Sequence, residues 1–543
     1  MNTINKLTSL LLVAALTFVS CNDLTDGYDK DPNSPSDAPP ELMLSGAQVG
    51  MMLFMEAEGA RISGMWDGHF TGSDRQYVAL NNYNVSATEF DGPWAQAYAN
   101  TLGQTKVIRS KADELNNRII KGIAGVVQAQ TAGMAAALWG DIPYSQYGNV
   151  EEYPNPEYDS QAQVYESVQT LLDESIADLQ SGQGINPGDD DVLYSGDLNK
   201  WIEAAYTLKA RYYLHVGDYE AANTAAQNGI STPDNDMYAE HNSVYGGNMN
   251  AYFSFSVYDR PAYMSANEAV GPDMFFTRMD GKTDEIARAY YSYVYPDVLG
   301  DIYNTGTEIN FVDGPIFGLA PYEGKYASDR DFPLVTYAEN ELIRAEALTM
   351  DGPQQDLDEG ISVLNNVREY LRNGYYMGSW ESVLGAPRQY DDYNRLDFEA
   401  GGMADVTGSG DVQANLFHEI IEERFFTLQG TYATFNDIRR TGNVLGIPAN
   451  TGNEIPQRFL IPQTEVNAND NVPSDRGGLF DPTPVNSQSQ AKALVSQFNY
   501  PEWTKEELQE IRAKHISQLR EKLKGTSEYE KIKKAYQKVL DQE

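Results

Sequence analysis

A single cysteine, Cys21, stands in a chain of 543 residues. One thiol excludes a disulfide framework, and if it is acylated no free thiol remains for a metal site or a nucleophile. Stability then has to come from packing. Histidine is almost as scarce: His69, His215, His241, His418 and His515 are scattered, with no pair at the spacing that sets two ligands on one helix face, which argues against zinc. Basic side chains are few, 39 Lys+Arg against 79 Asp+Glu, for a formal net charge of −40. That balance argues against nucleic acid and against an anionic membrane surface as partners. It also argues mildly against a heavily sulfated or uronate-rich glycan, which would favour basic clamps. No stretch after residue 20 reaches the roughly 18 apolar residues that cross a bilayer.

The start of the chain is an address. Lys6 and the apolar run 7–19 read as an export signal over residues 1–20, too short to span a membrane. Cys21 follows directly after Phe18-Val19-Ser20, where a bacterial lipoprotein is cleaved and its new N-terminal cysteine acylated. Phe18 is unusual there, and an ordinary signal peptide with a stray cysteine is the competing reading. Residues 21–40 are polar and proline-rich, a lipidated flexible tether of about 20 residues with a reach of roughly 60 Å. The negative charge lies in the body. From Ser487 to the end there are 11 Lys+Arg against 9 Asp+Glu.

Helical periodicity dominates the rest. Residues 123–138 are nearly all small or apolar, as in a helix packed on most sides. After the Asp159-Ser160 start signal, Val164, Val168, Leu171, Leu172, Ile176 and Leu179 share one face. A third helix is expected over 198–216, turning at Gly217-Asp218 into a short one with Ala222 and Ala226. These positions approximate a tetratricopeptide repeat, in which small residues let two helices approach. Another pair is expected from Pro333, with Leu342 and Leu348 against Ile361 and Leu364. The fold class is therefore mainly α, with tetratricopeptide-like helix pairs at about 122–230 and 333–371 forming a superhelical frame. Trp94, Tyr98, Leu102 and Val107 are expected to face inward on one further helix, and residues 41–61 to form a methionine-rich core helix.

Between the helices lie segments rich in glycine and tyrosine: 62–93, 231–332 and 373–410. They suggest an irregular lobe. A sugar ring has an apolar C–H face and a polar rim, so it is held by a flat aromatic surface together with polar groups. The segment around Trp66, Asp74, Arg75, Tyr77 and Asn81 supplies both kinds, and Trp380 and Tyr291 stand in comparable surroundings. These seven are the candidate glycan-binding residues. For Trp66 and Trp380 packing is an equal alternative, and for tyrosines 290, 291 and 293 self-packing of the loop is favoured. Trp94, Trp139 and Trp201 lie on helical stripes and are expected in the core.

Five motifs carry a family resemblance: AAALWGDIPYSQ at 135–146, GDLNKWIEAAYTLKARYYLHVGDYEAA at 196–222, TYAENELIRAEAL at 336–348, EERFFTLQGTYATFNDIRRTG at 422–442 and RFLIPQTEVNAN at 458–469. Together, behind a lipoprotein signal, they resemble the SusD/RagB family in the same order, over residues 21–486. That resemblance implies a surface lipoprotein of Bacteroidetes built on four tetratricopeptide-like helix pairs, whose irregular lobe binds glycans. It also implies a position as lid over a SusC-like TonB-dependent outer-membrane transporter. Within the motifs, Asp141, Pro143 and Tyr144 read as a helix terminus and turn, and Arg424, Arg439 and Arg440 as structural cations with carboxylates in reach.

No catalytic constellation emerges. Glycoside hydrolysis needs two carboxylates at a fixed separation, and 79 acidic residues nominate no pair. The expected function is non-catalytic: capture of an oligosaccharide or polysaccharide at the cell surface and its delivery to the transporter. The alternatives are a peptide-binding RagB-like uptake lipoprotein, a helical scaffold for protein partners, and an enzyme. No cofactor is expected, although Gly188-Asp189-Asp190-Asp191 offers carboxylates for a structural calcium ion and equally reads as an exposed acidic turn. The last 57 residues lie beyond the resemblance. Capping boxes Thr504/Glu507 and Ser527/Glu530 there suggest a helical hairpin at 487–543.

Overall fold

Capping chemistry sets the helix ends. The computed structural model describes residues 38–266, 268–293, 324–351, 356–377 and 388–523. Helices α1 (Pro40–Glu56) and α2 (Glu58–Trp66) come first, then α3 (Gly103–Glu114) and α4 (Arg118–Trp139). Helix α5 (Gln161–Ser181) starts where Ser160 and Gln163 form a reciprocal capping box and stops at Gly182, which takes the left-handed conformation. Asp197 caps α6 (Leu198–Val216), Gly217 ends it, and Asp218 caps α7 (Tyr219–Ala226). Then come α8 (Ile286–Ser292), α9 (Tyr337–Met350), α10 (Leu357–Asn373), α11 (Val412–Thr427), α12 (Tyr432–Thr441) and α13 (Lys505–Leu523).

The spine is α4, in which every residue from 122 to 139 is buried. It packs between α3 and α5, and the stacking continues from α5 to α6, α6 to α7, α7 to α9, and α9 to α10 and α11. A Cβ on Gly125 would run into Ser175 and one on Gly133 into the Tyr212 ring, so glycine sets how closely these helices approach. The expected mainly α architecture with a tetratricopeptide-like frame is what the chain forms. Trp139 and Trp201 are fully buried and Trp94 nearly so.

Two expectations about elements are corrected. Val107 faces solvent, and Ile108 takes the inward place. The cause is a wide π-helical stretch, Gln96–Leu102, just upstream of α3; its i→i+5 bonding shifts the phase of the stripe. Pro333 does not open a helix: it lies in a short strand, Phe332–Val335, and Thr336 caps α9. The strands are short antiparallel pairs in the irregular lobe: β1 (Thr71–Gly72) with β3 (Met264–Ser265), β2 (Met237–Ala239) with β5 (Phe332–Val335), and β4 (Thr283–Asp284) with β6 (Gln389–Tyr390).

Buried charge ties the lobe to the frame. Arg424 and Arg440 both bind Asp437, and Arg440 also binds Glu346. Arg439, by contrast, has no carboxylate in reach among the described residues. It donates to the carbonyls of Ala137 and Gln457, closing the end of α4, and burial together with Arg458 pulls it down to about 9. A larger cluster joins α8 to α11: Arg278 meets Glu285 (2.9 Å), Glu419 (2.5 Å), Glu422 (3.3 Å) and Glu423 (2.8 Å), and Arg288 meets Glu285 and Glu423 (2.6 Å each). Burial, with the neighbouring carboxylates adding to it against Arg278, pushes Glu422 up to about 8. Glu285, Glu419 and Glu423 stand against Arg278, Arg288 and Arg368, the last 3.9 Å from Glu419, and the raised Glu422 is biased toward its neutral form, which eases the excess of carboxylates.

Asp191 belongs to no exposed turn. It is fully buried and accepts hydrogen bonds from Gln48, Trp201 and the backbone of residues 193, 194 and 196. Among the described residues no group of three His, Cys, Asp or Glu side chains is placed to hold a metal ion. In the C-terminal region α13 lies on the body, with Leu508 buried, Arg512 paired to Asp273 at 2.6 Å and His515 beside Phe276. The second half of the expected hairpin, like the signal, Cys21 and most of the tether, lies outside the described residues. No described helix is long and apolar enough to cross a membrane.

Candidate functional site

The seven residues singled out from sequence do not come together. Trp66 ends α2 with its indole 1% exposed, packed edge-on against Tyr83, Phe90, Phe435 and Phe459 at 5.6–6.3 Å. Its Nε1 donates to the Leu80 carbonyl at 2.9 Å. Tyr77 is equally enclosed: its ring lies 4.9 Å from Phe255, and its hydroxyl accepts from Arg61 Nε at 3.2 Å. Neither ring has a face free for a sugar, so both depart from the expected open platforms. Asn81 is buried and accepts the Gly72 amide, which pins β1. Asp74 and Arg75 are exposed and pair with each other at 3.6 Å. Trp380 lies outside the described residues. Tyr291 reaches a cavity.

That cavity, of about 250 Å³, sits where the irregular lobe meets the frame. It falls just below the range of roughly 300–1,000 Å³ usual for ligand pockets. Each part of the chain contributes through its own element. Tyr238 comes from β2, Arg288 and Tyr291 from α8, Tyr370 from α10, Phe426 from α11, and Lys325, Tyr326 and Arg330 from the segment before β5. Tyr375 and Tyr376 follow the end of α10, where Gly374 turns the chain in the left-handed conformation. Tyr375 lies parallel to Tyr370, with ring centroids 5.8 Å apart and planes 8° apart, and is 56% exposed. This is a stacked aromatic pair with its outer face open to solvent.

The polar side is as specific. Tyr238 donates its hydroxyl to Asp236. Arg288 is held by Glu285 and Glu423 and is part of the wall's foundation. Lys325 carries an ammonium with no carboxylate in ion-pair contact, and burial with the Arg288 charge pulls it down to about 7. The Arg330 guanidinium stands 5.9 Å over the Tyr291 ring, and its Nε is buried without a partner. Gln429 is 1% exposed; its amide interacts with the Tyr293 phenol without reaching hydrogen-bond geometry. Apolar ring faces with a few convergent donors suit reversible binding of a small polar molecule with flat faces.

Sequence reasoning noticed the tyrosine-rich stretches that carry Tyr326, Tyr375 and Tyr376 without ranking them. Nothing local marks Tyr238, Arg330 or Gln429, which reach the cavity only through the fold.

The architecture is that of an α-helical binding protein with an appended irregular lobe, and comparisons with known proteins place it further. The SusD-like family described as starch-binding and associating with the outer membrane matches residues 32–356. The chain belongs to that family, whose members are non-catalytic binding proteins. Solved structures share the fold. A SusD/RagB family protein from Bacteroides thetaiotaomicron VPI-5482 is 18% identical, with 84% of this chain and 100% of that chain covered and a TM-score of 0.59. A chitin-binding SusD homolog from Flavobacterium johnsoniae is 16% identical, over 82% and 99% of the two chains, with a TM-score of 0.54. A SusD homolog from Bacteroides fragilis NCTC 9343 is 19% identical, over 84% and 99%, with a TM-score of 0.58. No curated protein matches the sequence.

Proposed function

We propose that this protein is a lipid-anchored, surface-exposed glycan-binding protein of the outer membrane that captures oligosaccharide and delivers it to a SusC-like TonB-dependent transporter. The observation that carries the reading is the open Tyr370/Tyr375 stack at the mouth of a cavity ringed by further tyrosines. Membership of a starch-binding, outer-membrane-associated family supports it, as does the chitin-binding homolog that shares the fold. Cys21 is the residue through which the anchor is made. Binding is weak and reversible, because two or three aromatic contacts at about 0.5–1.5 kcal/mol each and a few solvent-competed hydrogen bonds give dissociation constants of roughly 10 µM to 1 mM. The test is a glycan array and a peptide array on the purified full chain, followed by calorimetry on each hit with wild type and Tyr375→Ala. Saccharide hits weakened about 2- to 12-fold by the substitution, with no new reducing ends after long incubation, are expected. Peptide hits without saccharide hits, or turnover of the glycan, would overturn the proposal.

A further inference from the structure

The body is strongly acidic, yet the cavity is not. Of its charged lining residues, Arg288 is neutralised from behind by Glu285 and Glu423. Asp331 keeps its negative charge, with Oδ1 accepting the backbone amide of His241. Lys325 and Arg330 remain, two cations with no carboxylate in ion-pair contact among the described residues. Both are half-buried, and Arg330 donates Nη1 to the Met377 carbonyl at 3.4 Å, so each is partly withdrawn from water with no carboxylate beside it. A chain with 79 Asp+Glu has carboxylates to spare for such a place, and uses them in clusters a short way behind it. Asp331 is the one carboxylate among the described lining residues, and it is in ion-pair contact with neither cation.

We infer that the cavity takes the carboxylate of an acidic saccharide, a single uronate residue seated among the tyrosines, with Lys325 and Arg330 as its counter-ions. The inference rests on the glycan-binding reading above and names the ligand class for that site. A carboxylate supplies acceptors for the Lys325 ammonium and the unpartnered Arg330 Nε as charge-assisted bonds. A neutral hydroxyl relieves neither charge. Ring faces such as the Tyr370/Tyr375 pair suit the C–H side of a pyranose beside that carboxylate.

The overall charge of −40 does not oppose this. Exposed charges are screened over about 8–10 Å at physiological salt, so one carboxylate inside the cavity meets mainly its local field. A long polyanion would meet the acidic surface along its length. The ligand is therefore an oligosaccharide bearing an isolated uronate, and not a polyuronate or a sulfated chain.

Protonation supports the same reading. Lys325 interacts with Arg288 and His69 and shares the cavity lining with Arg330, Asp331 and the phenols of Tyr291, Tyr326 and Tyr376. Burial pushes those phenols up and the His69 imidazole well down, and it pulls Lys325 down to about 7, so the Lys325 charge changes between pH 6 and pH 8.5. A bound carboxylate favours its charged form, and affinity for an acidic ligand falls as pH rises through this window.

The experiment uses the full chain in detergent and a set of di- and trisaccharides containing one glucuronate, galacturonate or mannuronate, each beside its carboxyl-reduced neutral form. Polygalacturonate and short peptides with a free C-terminal carboxylate are included. The expected result is at least tenfold tighter binding of one uronate form than of its reduced partner at pH 6, with the ratio shrinking at pH 8.5. Lys325→Met and Arg330→Gln are expected each to reduce the ratio to about threefold or less, and Lys325→Arg to restore it. Thermal melts confirm that each variant is folded, and the wild-type ratio needs no variant at all. Equal binding of acid and neutral forms that still depends on Tyr375 would sink the acidic-ligand inference and leave the glycan reading standing. Binding of the peptides alone would remove both, binding of no member of the set would sink the acidic-ligand inference, and tighter binding of polygalacturonate than of the isolated uronates would refute the single-carboxylate assignment.

Discussion

Replacing Trp66 with alanine removes an indole that is 1% exposed and touches four aromatic rings drawn from three distant parts of the chain. Truncating a buried tryptophan costs about 3–5 kcal/mol, through lost transfer energy and the cavity left behind. The Leu80 carbonyl also loses its donor, at about 1 kcal/mol. The expected total is about 4–6 kcal/mol, three to four orders of magnitude in the unfolding constant. Trp201→Ala, which strips the fully buried Asp191 of the Trp201 Nε1 bond at 2.7 Å, is expected to cost at least as much. Equilibrium urea unfolding of the two variants beside wild type reads the loss as a lower midpoint at similar slope, and calorimetry below the transition reads affinity for the best array hit. Trp66 lies outside the cavity lining, so folded Trp66→Ala keeps its affinity within about twofold. Stability within 1 kcal/mol of wild type together with a tenfold loss of affinity would refute the placement of Trp66 in the core.

Three further outcomes follow from other parts of the molecule. Arg278→Met leaves Glu285, Glu419 and Glu423 without their shared cation and is expected to cost about 3–5 kcal/mol, against under 1 kcal/mol for Arg395→Met on the exposed Asp358 pair; equal losses in urea unfolding would contradict the burial argument. Burial lowers His241, but the Glu56 carboxylate at 2.9 Å and Asp331 outweigh it and hold the imidazole above its ordinary value. The pair's stabilisation is therefore complete below about pH 6.5 and is lost as pH rises through the raised value, so the stability gap between wild type and Glu56→Gln should be larger at pH 5.5 than at pH 9, and a constant gap would count against the pairing. Cys21→Ala is expected to abolish fatty-acid labelling and release the protein from the membrane fraction, and labelling that persists would exclude Cys21 as the anchor.

Much of this protein is local. The caps Ser160, Asp197 and Asp218 and the stop at Gly217 lie where the pattern of residues puts them, because capping and 3.6-residue periodicity act over one or two turns. The helical frame, the core tryptophans on its stripes and the family motifs were therefore legible from order alone. The segment near Trp66 was not. Its glycines suggested a loop, but Gly64 lies inside α2, where a Cβ would strike Phe70. Glycine marks a turning chain and a close contact with the same letter, and only the partner tells them apart. The rings that close over Trp66 include Phe435 and Phe459, and the cavity joins Tyr238, Lys325, Tyr370 and Tyr375. Whether an aromatic is a platform or a core residue depends on which distant surface covers it, and that is decided when the chain folds, by packing between segments hundreds of residues apart.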